Sequence, residues 1–206
     1  MKRPLLFVII SSTFLLIFAV SFSYSTDIEL SWDSGYQAGG IHYDFNNYSL
    51  GVDFNTPSGG PWYLKGIKYC INNTWPQQGN GFYLYAMKGP EYEEIIWGPV
   101  FNHNQTPYIY CWIAQTIDPK INLTEMGISN FMLAINNPYD YPYDCESLCV
   151  DGTDVGPHDW FCYGIAESWE AQPNPIYGKQ MIRALLDNVS TNAETTTIGQ
   201  IRAIYR

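Results

Sequence analysis

Residues 131–186 read FMLAINNPYDYPYDCESLCVDGTDVGPHDWFCYGIAESWEAQPNPIYGKQMIRALL. This stretch holds an apolar run at 131–135, three of the chain's five cysteines, and a closing β-prone run at 179–186. Segments rich in Pro, Gly and Asp separate the runs and are typical of tight turns. Short β-prone runs joined by turns are typical of antiparallel sheets, so we expect this stretch to form the closing half of a β-sandwich.

The same pattern of short runs and turns continues through the rest of the chain. The predicted strands are 28–32, 41–45, 48–54, 62–71, 82–87, 91–100, 108–115, 131–135, 147–150, 160–164 and 179–186. Strands do not alternate with helices, which excludes a parallel α/β sheet. The expected fold class is all-β: an antiparallel two-sheet, jelly-roll-like sandwich of about ten strands, with negligible helix before residue 189.

Three local features refine this expectation. Gly66 interrupts the longest run and predicts a β-bulge there. Asn46-Asn47 is a turn pair that tolerates the left-handed backbone conformation. Asp118-Pro119 predicts the start of one helical turn that reaches towards Gly127.

The first 23 residues predict export. Lys2 and Arg3 precede an apolar segment at 5–20, and Ser21-Phe22-Ser23 is a cleavage site of the small-x-small type. A segment of sixteen residues, interrupted by Ser11, Ser12 and Thr13, is short for a membrane span, so we expect a cleaved signal helix instead of an anchor. The predicted organisation is a signal peptide at 1–23, a β-sandwich domain at 24–188, and a polar linker with a short, helix-prone tail at 189–206.

Charge narrows the possible partners. The 206-residue chain carries 10 basic and 20 acidic residues, and loss of Lys2 and Arg3 leaves a net charge of −12. Such a surface repels nucleic acid and anionic lipid. We therefore expect no nucleic-acid partner, and no membrane association after signal cleavage.

The five cysteines predict disulfide bonds, because an exported chain meets an oxidising compartment. Five cysteines allow two bonds and one free thiol, and spacing alone does not choose among the pairings. Cys145 and Cys149 share one loop and form the most local pairing, which is the expected one. Cys70, Cys111 and Cys162 lie in separate strand-like runs and are candidates for a second bond between strands.

The order of the runs resembles a jelly-roll accessory domain that recurs in large secreted and cell-surface proteins of bacteria and archaea. The resemblance covers residues 27–187 and rests on the segments 64–71, 82–87, 110–114, 131–135, Leu148-Cys149-Val150-Asp151, Asp159-Trp160 and Met181-Ile182-Arg183-Ala184. Such domains are generally non-catalytic and are similar to carbohydrate-binding modules, although the resemblance assigns no ligand residue. The tail TTIGQIRAIYR is similar to a C-terminal signature of exported proteins, but Ile198 stands where those tails usually carry Trp.

Aromatic and amide side chains in loops are candidates for sugar binding, since rings stack on sugar faces and amides bond hydroxyl groups. The candidates are Tyr139, Tyr141, Tyr143, Asn137, Trp169 and Trp75. The alternative for the tyrosine-rich loop is ordinary packing. Trp62, Trp97, Trp112 and Trp160 lie in strand-like runs and are expected in the core.

Two further kinds of site were weighed. Asp151, Asp154 and Asp159 gather oxygen atoms in one loop region and are candidate ligands of a structural calcium ion, the alternative being that they form turns. Glu93 or Glu94 with Glu167 or Glu170 is the one carboxylate pair near aromatic residues that suits a glycosidase. No motif surrounds these acids, and no GxSxG elbow occurs.

These observations favour a secreted or cell-surface, non-catalytic binding or adhesion module, with glycans as the expected ligand. The alternatives are a small jelly-roll glycoside hydrolase that uses the paired glutamates, and a purely structural surface-layer component.

Overall fold

The computed structural model describes residues 26–41, 47–72, 81–102, 111–138, 147–153, 156–171 and 178–188. These residues form an all-β fold of two antiparallel sheets, as expected. The strands are β1 (Ile28–Leu30), β2 (Gly39–Ile41), β3 (Tyr48–Asn55), β4 (Tyr63–Asn72), β5 (Phe82–Lys88), β6 (Glu94–Asn102), β7 (Cys111–Asn122), β8 (Asn130–Asn137), β9 (Ser147–Val150), β10 (Asp159–Tyr163), β11 (Glu170–Ala171) and β12 (Ile182–Asp187). Within the described ranges, no helix has the length and apolar character needed to cross a membrane. The predicted signal peptide and tail lie outside these ranges.

The first sheet has the order β1-β12-β4-β9-β2, and β7 also pairs with β4. Ile67 of β4 is opposite both Ala184 of β12 and Gln115 of β7. Farther along β4, Ile71 is opposite Leu148 of β9 and a residue of β7. Strands β12 and β9 therefore lie end to end along one edge of β4, and β7 lies along the other edge.

The second sheet has the order β11-β10-β3-β8-β5-β6. Across both sheets, partners nest along the chain: β1 pairs with β12, β3 with β8, β4 with β7, and β5 with β6. Each of these pairs encloses the next one along the chain. Strands β2, β9, β10 and β11 extend the two sheets beyond this set.

One continuous apolar core lies between the sheets. Alternate residues of β3 and β4 point into it, including Leu50, Val52, Leu64 and Ile67, all of which are almost fully buried. Each such side chain stabilises the fold by roughly 1.5–3 kcal/mol through loss of contact with water. Alternation, interrupted in β4 by a bulge, gives each sheet a separate outward face that carries different side chains.

The predicted bulge in β4 is confirmed. Leu64 and Gly66 pair with the adjacent residues Leu186 and Leu185 of β12, so Lys65 is the extra residue on that side, and the register with β7 shifts at the same place. Asn47, whose φ is 54°, adopts the left-handed conformation expected for the turn before β3.

The predicted helical turn after Asp118 is wrong. Asp118-Pro119 is a cis peptide bond inside β7, and the chain turns later, at 123–127, without forming a helix. Pro119 is tolerated because β7 has a partner on one side only in the described sheet, so a missing N–H need not break a central ladder.

The expected Cys145–Cys149 disulfide is also wrong. Cys149 of β9 is bonded to Cys70 of β4, with the Cα atoms 5.2 Å apart and 79 residues between them in sequence. The adjacent pair Ile71 and Leu148 shows why: β9 lies beside β4, so the two cysteines are cross-strand neighbours. Cys145 is outside the described residues. Within the described residues, the free thiols are the half-buried Cys111 and the buried Cys162.

Candidate functional site

Asp53 is the centre of a polar cluster on the outward side of β3. Its Oδ1 atom accepts hydrogen bonds from Trp160 Nε1 at 3.1 Å and contacts His158 Nδ1 at 2.9 Å. Its Oδ2 atom accepts bonds from Tyr92 Oη at 2.9 Å and Asn130 Nδ2 at 3.3 Å. A nearly buried carboxylate that collects this many partners is held in one position, and it holds its partners in turn.

The aromatic rings of Trp32 and His158 stack on this cluster. Their centroids are 3.8 Å apart and their planes differ by 4°. Trp32 Nε1 donates a 2.7 Å hydrogen bond to the backbone oxygen of Asp53. The indole is thus fixed by one ring contact and one hydrogen bond, yet 40% of the residue remains exposed to solvent.

The loop that carries Trp32 is anchored on its other side as well. Asp33 binds Arg183 through two oxygen atoms, with Nε to Oδ2 at 2.9 Å. The N–H of Ser34 donates to Asp151 Oδ2 at 2.8 Å. The hydrogen bond from Arg183 to Asp33 raises the pKa of the guanidinium group, which therefore stays charged. These bonds fix the backbone on the C-terminal side of Trp32.

Tyr92 supports the cluster from a strained backbone position. Its φ is 53°, in the left-handed region that non-glycine residues rarely adopt. Burial, and then the negative charge of Asp53, raises the pKa of the Tyr92 phenol, so this hydroxyl remains a hydrogen-bond donor at any physiological pH. Strain held by hydrogen bonds in this way is found more often at functional sites than elsewhere.

Asp53 orients the His158 ring through Nδ1, which is the arrangement used in catalytic dyads and in metal centres. The described residues around it supply no nucleophile in contact with the ring. They also contain no group of three or more His, Cys, Asp or Glu side chains placed to hold a metal ion. Asp53 and His158 together hold the Trp32 ring in place.

The outward face of the second sheet, here termed the covered face, lies under its own apolar layer. Tyr85, Met132 and Ala134 form its floor, and the segment 164–169 packs over them. The segment approaches β3 closely at Gly51. A Cβ atom at this position would lie 3.0 Å from the Trp169 ring and 2.5 Å from Met132 Sδ.

Two predicted ligand-binding residues lie within the described ranges. Trp169 is part of the apolar layer, with its ring 6.4 Å from that of Tyr85. Asn137 is buried and donates to Tyr48 Oη at 3.3 Å. Their role in ligand binding stays a prediction. Tyr139, Tyr141, Tyr143 and Trp75 lie outside the described residues.

The aspartates proposed as calcium ligands are used internally. Asp151 Oδ1 accepts bonds from Thr153 and from the N–H of Lys179, and Asp159 accepts bonds from the N–H groups of Gly156 and Gln180. Burial alone would raise the pKa of Asp151, but these bonds lower it overall. Both carboxylates therefore join loops to strands, and their role as calcium ligands stays a prediction. Asp154 is outside the described residues.

The glutamates considered for catalysis are all exposed. Glu94 begins β6 and Glu170 begins β11, which are the two opposite edges of the second sheet. Five strand spacings separate them, about 24 Å at the usual interstrand distance. The two carboxylates of a glycosidase lie roughly 5–9.5 Å apart, so Glu94 and Glu170 cannot form such a pair.

The outward face of the first sheet, here termed the open face, carries a charged network. It is formed by Glu29, Lys68 and Arg183 around the ring of Trp112. Glu29 bonds both Lys68 at 2.9 Å and Arg183 at 2.5 Å. Arg183 lies 4.2 Å and Lys68 5.2 Å from the centre of the Trp112 ring. Trp112 is thus half-buried among cations on this face, not in the core where it was expected, whereas Trp62 is in the core as predicted.

Comparison with known proteins gives no relative. No protein-family model matches the chain. No curated protein and no solved structure matches it either.

Sequence reasoning missed Trp32 and His158. Trp32 closes the first predicted strand and precedes Asp33-Ser34-Gly35, a loop signal that was available. His158 lies in a turn, 105 residues from Asp53, and no spacing rule connects the two. The pairing exists only because β10 lies beside β3.

Proposed function

We propose that this protein is a secreted or cell-surface, non-catalytic jelly-roll module that binds glycans on the exposed ring of Trp32. The observation that carries the proposal is the fixed position of an exposed indole, stacked on His158 and bonded through Nε1. An aromatic ring that is ordered before binding loses little conformational entropy when a sugar stacks on it.

The surroundings of Trp32 suit a hydroxyl-rich ligand. Ser34 and Tyr36 follow it in the same loop, both are exposed, and each carries a hydroxyl group that can donate and accept. Tyr36 is the most exposed large hydrophobic residue of the described chain, at 73%. A loop with exposed aromatic rings and hydroxyl groups is the usual chemistry of sugar recognition.

The jelly-roll assignment is supported by the nested strand pairs and by the two sheets that they form. Export is supported by the sequence of residues 1–23, and the Cys70–Cys149 bond suits an oxidising compartment. N-terminal sequencing of exported protein tests this part: a start at Tyr24 is expected, and a start at Met1 contradicts it.

Binding is tested by incubating the mature protein with a panel of polysaccharides while recording both retention and release of reducing sugar. Retention without release is expected. Trp32→Ala should weaken retention about tenfold, the loss of one well-placed stacking contact. Tyr163→Ala removes another exposed aromatic residue and serves as the matched control, with no change expected.

His158→Ala separates a positioned ring from a merely exposed one. It leaves the indole in place but removes its stacking partner, so retention should fall by less than in Trp32→Ala. Release of reducing sugar contradicts the non-catalytic proposal. Retention that is as strong in Trp32→Ala as in the parent contradicts the site, and no retention at all favours the structural role.

A further inference from the structure

We propose a second ligand site in a cleft on the open face, for a neutral, hydroxyl-rich ligand such as an uncharged oligosaccharide. The cleft has a volume of about 550 Å³ and is lined by Asp27, Lys65, Gly66, Ala114, Gln115, Thr116, Ile117, Asp118, Lys120, Leu185 and Asp187. Sites for small ligands have volumes of this order. The cleft is separate from Trp32 and does not rest on the function proposed above.

The bulge in β4 and small side chains create the floor of this cleft. Gly66, Ala114 and Thr116 lie on neighbouring strands β4 and β7, where Gly66 is directly opposite Thr116. A Cβ atom at Gly66 would lie 2.9 Å from the backbone oxygen of Gln115. These three small residues leave a depression in the surface between longer side chains.

The walls of the cleft are two cation–carboxylate pairs. Lys65 Nζ lies 2.5 Å from Asp27 Oδ2, and Lys120 Nζ lies 2.6 Å from Asp187 Oδ2. The second pair is well shielded, with side-chain exposures of 14% and 4%. Each pair places hydrogen-bond donors next to acceptors, which matches a sugar hydroxyl group because that group also donates and accepts.

The charges of the cleft select against anionic ligands. Two lysines and three aspartates line it, and each lysine is already paired with an aspartate. An anionic ligand meets no uncompensated cation there, and it is repelled by the acidic chain as a whole. A neutral ligand is not subject to this repulsion.

The test uses the full mature chain carrying Trp32→Ala, which removes the ring proposed above. Calorimetric titration is carried out with neutral hexasaccharides of glucose, xylose, mannose and galactose, and with carboxymethylated counterparts of each. We expect at least one neutral hexasaccharide to bind, and its carboxymethylated form to bind at least about tenfold more weakly.

Two substitutions locate the site. Thr116→Trp fills the cleft and should lower the affinity at least about tenfold, whereas Ser58→Trp on an exposed turn should leave it unchanged. Should the bulky variant not fold, Lys65→Ala removes one wall and should lower the affinity about fivefold. Its matched control is Lys88→Ala, which removes a lysine paired with Glu94 on the second sheet.

Each remaining outcome contradicts the inference. No binding of any neutral probe excludes the site, tighter binding of the carboxymethylated probes excludes the ligand class, and binding unchanged by both Thr116→Trp and Lys65→Ala excludes the location. The polysaccharide-retention assay tests the Trp32 site separately. Equal retention of the parent and of Trp32→Ala would contradict that site.

Discussion

The two outward faces of the sandwich are built differently. The open face of the first sheet exposes a network of charges around Trp112, with the Cys70–Cys149 bond at one end and a cleft at the other. The covered face of the second sheet lies beneath the segment 164–169, and its buried Asp53 bonds several partners at once.

The covered face contributes more to the stability of the fold, whereas the open face is more accessible to solvent. Exposed ion pairs contribute about 0–1 kcal/mol each, whereas a buried apolar side chain contributes roughly 1.5–3 kcal/mol. We therefore expect substitutions on the covered face to destabilise the protein, and changes to the charged residues of the open face to be tolerated. The Cys70–Cys149 disulfide of the open face is the exception, because a covalent bond stabilises the fold without an apolar layer.

The largest effect is expected on the open face, at its disulfide. Cys70→Ala should lower the free energy of unfolding by about 4 kcal/mol, since the bond closes a loop of 79 residues in the unfolded chain. Urea denaturation of the oxidised protein measures this. Cys111→Ala removes a free thiol and is the control, expected to cost under about 1 kcal/mol. Equal losses in both variants would mean that the bond does not stabilise the native state.

The next effect is expected on the covered face. Asp53→Ala should cost about 3 kcal/mol, because it leaves the part-buried Nε1–H of Trp160 without its acceptor and removes one of the two acceptors of Tyr92 Oη. Trp32 keeps its bond to the backbone oxygen of residue 53, but His158 beneath it is released, so the indole fluorescence should shift. Asp118→Ala on the open face should change neither quantity. A loss in Asp118→Ala as large as in Asp53→Ala would contradict the contrast between the faces.

The third prediction concerns pH at the junction of the sheets, where Asp159 of β10 bonds the N–H of Gln180 before β12. Burial raises the pKa of Asp159 to about 6. Its value in the unfolded chain is near 3.9, so the native state binds this proton more tightly between these limits. The contribution of Asp159 to stability is therefore complete below pH 4 and is lost as the pH rises through 6.

Asp159→Asn removes this titration. Relative to the variant, the parent should lose about 2 kcal/mol of stability between pH 4 and pH 7. Urea denaturation at a series of pH values gives both curves. Parallel curves would show that Asp159 titrates at the same pH in the folded and unfolded chain.

The smallest effect is expected for the charges of the open face. Glu29→Gln should cost about 0.5 kcal/mol, because its bonds to Lys68 and Arg183 are partly exposed and screened by salt. This loss in the free energy of unfolding should be smaller still at 1 M NaCl. A loss above 2 kcal/mol that persists in high salt would show that this network stabilises the fold as strongly as the covered face does.

Local sequence patterns predicted most of the strands and missed most of the site. The bulge at Gly66 and the turn at Asn47 were readable because each depends on the backbone preference of one or two residues. The surroundings of Trp169 and Asn137 could not be predicted from local sequence, because Trp169 packs with segment 164–169 over the second sheet and Asn137 bonds Tyr48, 89 residues away. The sequence does not state which sheet a loop will cover.

The sequence by itself determined the all-β class, because period-two alternation and frequent turn residues act over fewer than ten positions. The tertiary structure alone decided the partners of Cys149, Asp53 and Arg183, which lie 79, 105 and 150 residues away from them along the chain. Such pairs depend on which strands become neighbours and in what register. That choice is made by the packing of two whole sheets around one core, and no local segment contains it.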